Sequence, residues 1–393
     1  MKSIDEIEVN LKNKIVLVRL DLNVPIKNGV INDSHRIDKI IPTLEFLRKK
    51  KSKIVIISHI GRPDGKFTNE LSLKPVAENL SNQLNEEIDL NDKNIFELSK
   101  ENLFSSAQSQ ITILENIRFY KEEEINDDIF AKQLASLGDL YVNEAFSCSH
   151  RNHASVSKIA EHINSYSGLL LKKEISALEK ITYKIENPTT CIIGGSKIST
   201  KINIIKNLIP KFNSIIIVGG MANNFLKDNG QNIGKSIFEK NVGEIVYKIR
   251  DLAIKKNCKL VFPIDFGVGK SVDGGCLYKK INQIEDDDII LDIGFETMAL
   301  IEQIIKSSKT ILWNGPAGYF ENQNFAVGSY KIAEAISNST KEGKLYSVVG
   351  GGDTVAVINK LKLFESYNFV STAGGAFLEF LEGKELPGIK ALN

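Results

Sequence analysis

The sequence predicts an α/β protein built from two parallel-sheet domains in series. Three observations predict it. Apolar runs without polar alternation recur between stretches of helical spacing, as strands covered on both faces of a parallel sheet require. That series is interrupted once, at residues 168–184, by a long helical segment with no glycine loop after it, ended by Asn187-Pro188. Finally, 393 residues are enough for two or three domains, each with its own core.

Taken in order, the first series opens with a strand at 15–20 that runs into a loop at 21–25. Residues 38–49 have helical spacing, with Ile40, Ile41, Leu44 and Leu47 on one side. A strand at 53–58 ends in His59-Ile60-Gly61-Arg62-Pro63, and a helix covers 73–84. The strand at 111–114 leads to Asn116 and Arg118; a helix at 130–137 precedes a strand at 140–143. Segment 168–184 reads as a helix connecting two domains. The second series places strands at 190–193, 215–218, 259–263, 310–313, 346–349 and 369–370, all but the third followed closely by glycine. No sequence repeat relates the halves. The tail at 383–390 is too short for a domain and is expected to pack back on what is already built.

Composition excludes several functions. With 50 basic and 49 acidic side chains the formal charge is +1, which makes no general case for nucleic-acid or membrane partners. Cys148, Cys191, Cys258 and Cys276 are scattered, without a CxxC, beside five histidines. That favours a reduced compartment and argues against structural zinc. No apolar run approaches the roughly 18 residues of a spanning helix, and MKSIDEIEVNLKNK is not a signal peptide. A cytoplasmic location is expected.

The motifs point to phosphoryl groups. The run at 346–349 meets Gly350, Gly351 and Gly352, then Asp353, Thr354 and a helical pattern. A strand that stops in glycines and turns into a helix leaves backbone N–H groups facing an anion. Asp353 adds the carboxylate that a phosphate-bound Mg²⁺ needs. Ser371-Thr372-Ala373-Gly374-Gly375 repeats the arrangement. In the first half, Arg19, Asp21, Asn23, Arg36, His59, Arg62, Arg118 and Arg151 stand mostly at strand ends or in adjoining loops. One such arginine reads as a surface ion pair. Several at the tips of separate strands read as a site for a small polyanion, because guanidinium forks match carboxylate and phosphate. His59 alone fits a loop hydrogen bond as well as a ligand contact.

In the second half, Gly194-Gly195-Ser196-Lys197 follows a strand, and Lys201 is expected one helical turn beyond Lys197, both ammoniums pointing the same way. The plain alternative is a solvated helix start. Gly219-Gly220-Met221-Ala222 is weaker, a turn with Met221 in the core. Trp313-Asn314-Gly315-Pro316-Ala317-Gly318-Tyr319-Phe320-Glu321 is more specific: Asn314 and Glu321 suit a base or ribose hydroxyls, and Trp313 suits packing. Neither GxxxxGK[ST] nor GxGxxG is present.

The stretches VRLDLNVP, SHIGRP, ENIRF, YVNEAFSCSHRNHAS, GGSKISTKI, GGMANNFL, WNGPAGYFE, GGGDT and STAGGAFLEFLEGKELPGI occur in that order along essentially the whole chain. Together they resemble the phosphoglycerate kinase family. The resemblance implies two Rossmann-like domains, each a parallel sheet flanked by helices, separated by a hinged cleft. Residues 1–168 would bind 3-phosphoglycerate, with the tail 382–393 packed on them, and 169–381 would bind nucleotide. Asp21, Asn23, Arg36, His59, Arg62, Arg118 and Arg151 would hold 3-phosphoglycerate. Gly195, Lys197, Lys201, Gly219, Gly294, Asn314, Glu321, Gly350, Gly351, Gly352, Asp353 and Thr354 would hold the nucleotide, Asp353 together with Mg²⁺. Arg36, Lys197, Lys201 and Gly352 would act on the moving phosphoryl group, near a helix N-terminus at Ala373, Gly374 and Gly375. The implied reaction is reversible phosphoryl transfer between ATP and the carboxylate of 3-phosphoglycerate, by a monomer without a tightly bound organic cofactor. A carboxylate is already ionised near neutral pH, so no general base is required.

Some positions depart from the family pattern. Glu144 and Ser147 stand where the family commonly has YVNDAFG, Phe295 and Glu296 replace the Pro-Lys of DIGPKT, and Ala373 replaces the first glycine of STGGG. Glu144 would carry its charge one methylene further, beside the Arg151 loop. Ala373 matters only if its backbone needs positive φ. Two competing readings remain: a nucleotide-binding dehydrogenase, which lacks its fingerprint here, and a non-catalytic binding protein, which would be expected to have lost Lys201, Asp353 or Arg36.

Overall fold

Runs of unalternated apolar residues become the strands of two parallel sheets. The computed structural model describes the chain apart from Asn28, Asp33, Ala107, Gln108 and the side chain of His35. It divides into two units, Met1–Ile175 with Glu385–Asn393, and Ser176–Lys384.

The first unit contains strands β1 (Ile15–Arg19), β2 (Ile26–Lys27), β3 (Val30–Ile31), β4 (Lys53–Ile57), β5 (Ile88–Asn91), β6 (Ile111–Leu114), β7 (Leu140–Asn143) and β8 (Ser165–Ser167). β2 and β3 form a hairpin, and the others form a parallel sheet ordered β5-β6-β4-β1-β7-β8. Val16, Leu17 and Val18 point to alternate faces and are all fully buried, so the central strand is covered on both sides. Ile40, Leu44 and Leu47 of the helix His35–Lys49 share a core with Val16, Val18, Ile54 and Ile56. The end of the chain belongs to this unit. Gly388 donates its N–H to the Ser149 carbonyl at 2.9 Å and lies so close to Val156 that a Cβ would sit 2.7 Å from Cγ1.

The second unit contains β9 (Thr189–Ile193), β10 (Ser214–Ile217), β11 (Lys259–Val261), β12 (Asp265–Gly269), β13 (Leu277–Lys280), β14 (Ile289–Ile293), β15 (Thr310–Asn314), β16 (Tyr346–Gly350) and β17 (Phe369–Ser371). Its parallel sheet is ordered β11-β10-β9-β15-β16-β17, and β13-β12-β14 is a separate antiparallel sheet. The helix expected at 168–184 is Leu169–Lys180, and the division between units falls inside it, after Ile175.

In each parallel sheet the chain first builds outward on one side of a central strand and then returns to the other. The reversal lies between β1 and β7 in the first sheet and between β9 and β15 in the second. Such reversal points open a crevice beyond the carboxyl ends of the strands, where α/β sheets take their ligands.

Four features of the sheets were not anticipated from sequence: the β2–β3 hairpin, β5, β8 and the antiparallel sheet. β5 and β8 are edge strands with polar residues, Ile-Asp-Leu-Asn and Ser-Tyr-Ser, and so lack a continuous apolar run. β12 carries two glycines, and β13 is largely exposed.

Candidate functional site

At the crevice of the first unit, the carboxyl end of β1 delivers Asp21 and Asn23. Asp21 pairs with Arg36 at 2.6 Å, and Arg36 also donates to the Asn23 carbonyl at 3.3 Å. The Asn23 side chain accepts from the Gly61 N–H at 3.0 Å, while Arg118 donates to the Gly61 carbonyl at 2.8 Å. Gly61 turns there with φ +63°, a conformation that glycine adopts without strain. These bonds bring Asp21, Asn23, Arg36 and Arg118 together around one turn, and Arg62 stands exposed beside it.

His59 is buried, with Nδ1 3.2 Å from Arg19 Nη2. Burial first, then the charges of Arg19, Arg118 and Arg151, hold its pKa well below the usual histidine value. His153 is pushed down to about 3, by burial first and then by Arg118, Arg19 and Arg151. Its 3.7 Å approach to Glu123 is therefore not a contact between two charges near neutral pH. Neutral imidazoles held among three guanidinium groups mark a strongly positive field, as a polyanion site requires. Arg151 takes part through that field, acting on both histidines.

The sequence places Arg19 among the arginines of the polyanion site and gives no role to Ser155 or Glu123; the structure makes all three supports of the cluster. Arg19 is fully buried and bonded inward to Ser155 Oγ at 2.8 Å and to the Leu20 carbonyl. Ser155 in turn donates twice to the buried Glu123 carboxyl, through N at 2.8 Å and Oγ at 2.7 Å. Arg19 therefore holds His59 in place and does not itself face a ligand. Its only sequence signal was an arginine at the end of an apolar strand.

Two departures from the family pattern acquire definite contacts. Ser147 Oγ donates to Asp21 Oδ2, the same oxygen that pairs with Arg36. Glu144 is buried and turned away from the Arg151 loop. It accepts from the N–H groups of Leu170 and Leu171, both at 2.9 Å, and from Thr43 Oγ1. It thus satisfies the first turn of the helix Leu169–Lys180, which the expectation for this residue missed.

At the crevice of the second unit, Gly194 and Gly315 meet between β9 and β15. The Gly194 N–H donates to the Asn314 carbonyl at 2.9 Å, and a Cβ on Gly194 would lie 2.0 Å from the Pro316 carbonyl oxygen. Lys201 Nζ spans this gap, donating to the Gly194 carbonyl at 2.7 Å and to Asn314 Oδ1 at 2.6 Å. Asn314 Nδ2 donates to the Gly350 carbonyl at 2.7 Å, and Thr354 Oγ1 accepts from the Gly315 N–H at 2.7 Å. One network therefore unites Lys201, Asn314, Gly350 and Thr354. Burial lowers the Lys201 pKa to about 8.

The expected pairing of Lys197 with Lys201 on one helical turn is not found. The helix begins only at Ile202, so the two lysines lie on irregular backbone, Lys197 exposed and Lys201 turned inward. The glycine turn before Ser196, with Gly195 at φ +131°, delays the helix.

A cavity of about 470 Å³ adjoins this network. Gly195, Gly219, Glu321 and Asp353 line it, with Phe266 and the β14 residues of the unforeseen antiparallel sheet forming an apolar wall. Asp353 is exposed in the first turn of the helix Gly352–Lys360, and neither of its oxygens accepts a hydrogen bond from the described residues. An uncommitted carboxylate in the first turn of a helix, directly after a glycine turn, fits Mg²⁺ carried by a nucleotide. Gly294 lies behind the cavity wall as the N-cap of the helix Phe295–Ser307, its N–H donating to the Asp265 carbonyl at 2.8 Å. Asp292 in the wall is raised to about 7 by burial, although the N–H groups of Gly328 and Ile293 favour its charged form.

The turn at Gly374, with φ +58°, leads into the helix Gly375–Leu381, and Phe377 of that helix packs against Gly350. Ala373 does not have positive φ and donates its N–H to Ser371 Oγ at 3.3 Å. The glycine it replaces is therefore not needed for backbone freedom. Phe295 and Glu296 sit on the surface, Phe295 packed at a tilt against Tyr278 with ring centroids 4.1 Å apart and Glu296 paired with Lys280.

Comparison with known proteins gives a consistent picture. A family model described as phosphoglycerate kinase matches residues 4–384. The chain is similar to the phosphoglycerate kinase of Wolbachia sp. subsp. Brugia malayi, 46% identical over 100% of this chain and 99% of that protein. It is similar to that of Dictyoglomus turgidum, 46% identical over 98% and 96%. Among solved structures, phosphoglycerate kinase from Coxiella burnetii superposes with a TM-score of 0.92 at 39% identity, covering 99% of this chain and 98% of that one. The enzyme from Pyrococcus horikoshii OT3 gives 0.81 at 28% identity, covering 100% and 98%.

Proposed function

The chain belongs to the phosphoglycerate kinase family, and on that premise we propose that its first unit holds 3-phosphoglycerate and its second unit holds MgATP or MgADP. It is a phosphotransferase whose acceptor is a carboxylate. The reaction is ATP + 3-phosphoglycerate = ADP + 1,3-bisphosphoglycerate, reversibly. The observation that carries the division is the contrast in equipment: a guanidinium cluster around His59 on the first unit, and a glycine-turned cavity bearing Asp353 on the second.

The acceptor carboxylate needs no deprotonation, so the protein's work is placement and charge neutralisation. Asp21 holds Arg36 by a 2.6 Å contact, keeping a guanidinium ready for the transferring group. Arg62, Arg118 and Arg151 neutralise the charge of the bound 3-phosphoglycerate, and the Asn23–Gly61 bond fixes the turn that carries Arg62. On the other unit, Lys201 and the Gly350–Gly352 backbone receive nucleotide phosphates, Lys197 reaches the moving phosphoryl group, and Glu321 faces the ribose. The N–H groups at Ala373, Gly374 and Gly375 add to the neutralisation. Asp353 would hold Mg²⁺, which when bound neutralises phosphate charge. Acceptor and donor must meet at one phosphoryl group, so a hinge motion is part of the proposal, as are a monomeric state and a cytoplasmic location. No helix among the described residues is long and apolar enough to cross a membrane.

The test is a coupled assay of the full chain with 3-phosphoglycerate, ATP and Mg²⁺. ADP formation that requires 3-phosphoglycerate supports the reading, and its absence refutes it.

A further inference from the structure

In the wall of the second unit's cavity, Asn223 has a hydrogen-bonding capacity that the fold leaves unused. It stands in the helix Gly220–Asp228, is 1% exposed, and lines the cavity beside Gly219, Gly220 and Ile237. Its Nδ2 donates to the Ile237 carbonyl at 2.9 Å, which fixes which way the amide faces. Oδ1 is then left as an acceptor, and no described group donates to it. Among the described residues it is the one buried side-chain polar atom of this cavity's wall without a partner. The next residue shows the ordinary structural alternative: Asn224 Oδ1 accepts from the Glu239 N–H at 2.8 Å, and its Nδ2 donates to the Met221 carbonyl at 3.2 Å. A buried acceptor left unpaired is costly, and a ligand donor placed against it recovers that cost.

Resting on the nucleotide-binding reading of this unit, we propose that Asn223 selects the nucleotide base, its Oδ1 accepting a hydrogen bond from the exocyclic amino group of adenine. Position supports a base over a phosphate. Asn223 lies one helical turn beyond the Gly219–Gly220 turn, and the wall continues through the apolar side chains of Phe266 and Ile290. A flat ring suits that wall, and its polar edge then needs a reader. The chemistry favours adenine over guanine. One N–H of Nδ2 is met by the Ile237 carbonyl while Oδ1 is met by nothing, so the need the fold leaves open on this amide is for a donor. Adenine presents an amino donor at the position where guanine presents a carbonyl oxygen, which would set two acceptors against each other.

The experiment compares ATP, GTP and purine riboside triphosphate, which lacks the amino group, as phosphoryl donors to 3-phosphoglycerate. Wild-type full chain and Asn223→Leu are both assayed. In the wild type, kcat/KM is expected to fall about ten-fold or more from ATP to either analogue. In Asn223→Leu, the ATP value falls and the ratio between ATP and purine riboside triphosphate approaches one. The wild-type comparison needs no variant, so it stands even if Asn223→Leu folds poorly. Equal use of all three donors by the wild type, a preference for GTP, or a ratio that survives in a folded Asn223→Leu would overturn the assignment. No transfer from ATP by the wild type would instead overturn the phosphotransferase reading, and this inference with it.

Discussion

The two crevices are built at the same kind of position, where the strand order of a parallel sheet reverses, yet they are equipped in opposite ways. The first presents charged side chains on long stems, steadied from below by the Glu123–Ser155–Arg19–His59 chain. The second presents backbone, with glycines so tightly opposed that Gly194 and Gly315 exclude each other's Cβ. Its inward-turned ammonium, Lys201, is half-buried and bonded to backbone and amide oxygens. The difference teaches where each half is vulnerable. Recognition by side chains fails when a charge is truncated, whereas recognition by backbone fails when a methyl group is added.

The largest effect expected from this contrast is at Arg36. Its contact with Asp21 is partly exposed, so losing it should cost at most about 1 kcal/mol of stability. If Arg36 acts only on the transition state, Arg36→Ala lowers kcat by about 10²–10³ with little change in KM. Steady-state kinetics and a thermal melt check this together; a large fall in Tm with normal kcat would make Arg36 structural.

Next come the glycines. Gly194→Ala drives a Cβ to 2.0 Å from the Pro316 carbonyl oxygen, a backbone atom that cannot step aside. A loss of about 3 kcal/mol in stability, with weakened nucleotide binding, is expected. Gly352→Ala meets nothing within 4 Å and should leave stability within about 0.5 kcal/mol of the parent. Chemical denaturation of the two variants separates crowding from a general requirement for glycine.

A smaller effect concerns pH. The folded pKa of Lys201, about 8, lies below its unfolded value near 10.5. Between those values the unfolded chain binds more protons, so this residue makes stability rise with pH across the window. Nucleotide affinity should move the other way. It falls as pH rises through about 8, because the neutral amine no longer attracts phosphate, and nucleotide binding above that pH takes up a proton. Calorimetric titration in buffers of different ionisation enthalpy measures that uptake, and Lys201→Met should abolish it.

The smallest effect is at Ala373. Its φ is not positive, so Ala373→Gly relieves no strain and should lower stability by less than about 1 kcal/mol with activity retained. A gain in activity would show that the alanine methyl obstructs the site.

These contrasts also explain what the sequence could disclose. The parallel strands were legible because burial on both faces leaves an unbroken apolar run, as in Ile15–Arg19 or Tyr346–Gly350. Glycine turns were legible because each follows such a run directly. The apolar cavity wall was not, since glycines break the run in β12, lysines end β13 and an aspartate interrupts β14. Glu144 was misread because its partners, Thr43 and the N–H groups of Leu170 and Leu171, are distant in sequence and belong to other elements. The Lys197–Lys201 pairing failed for a local reason: the helical period was applied before the helix starts. Asn223 carries no pattern at all, since an unpaired acceptor is visible only when every neighbour is in place.

The central claim is that the two units divide the ligands between them. Hydrogen exchange read by mass spectrometry on the full chain tests it most directly, with 3-phosphoglycerate and MgADP added separately. The account predicts that 3-phosphoglycerate slows exchange around Asp21–Asn23, His59–Arg62 and Arg118 in the first unit. MgADP should slow it around Gly194–Lys201 and Gly350–Thr354 in the second. Protection of the glycine turns by 3-phosphoglycerate, or of the arginine cluster by MgADP, would contradict it.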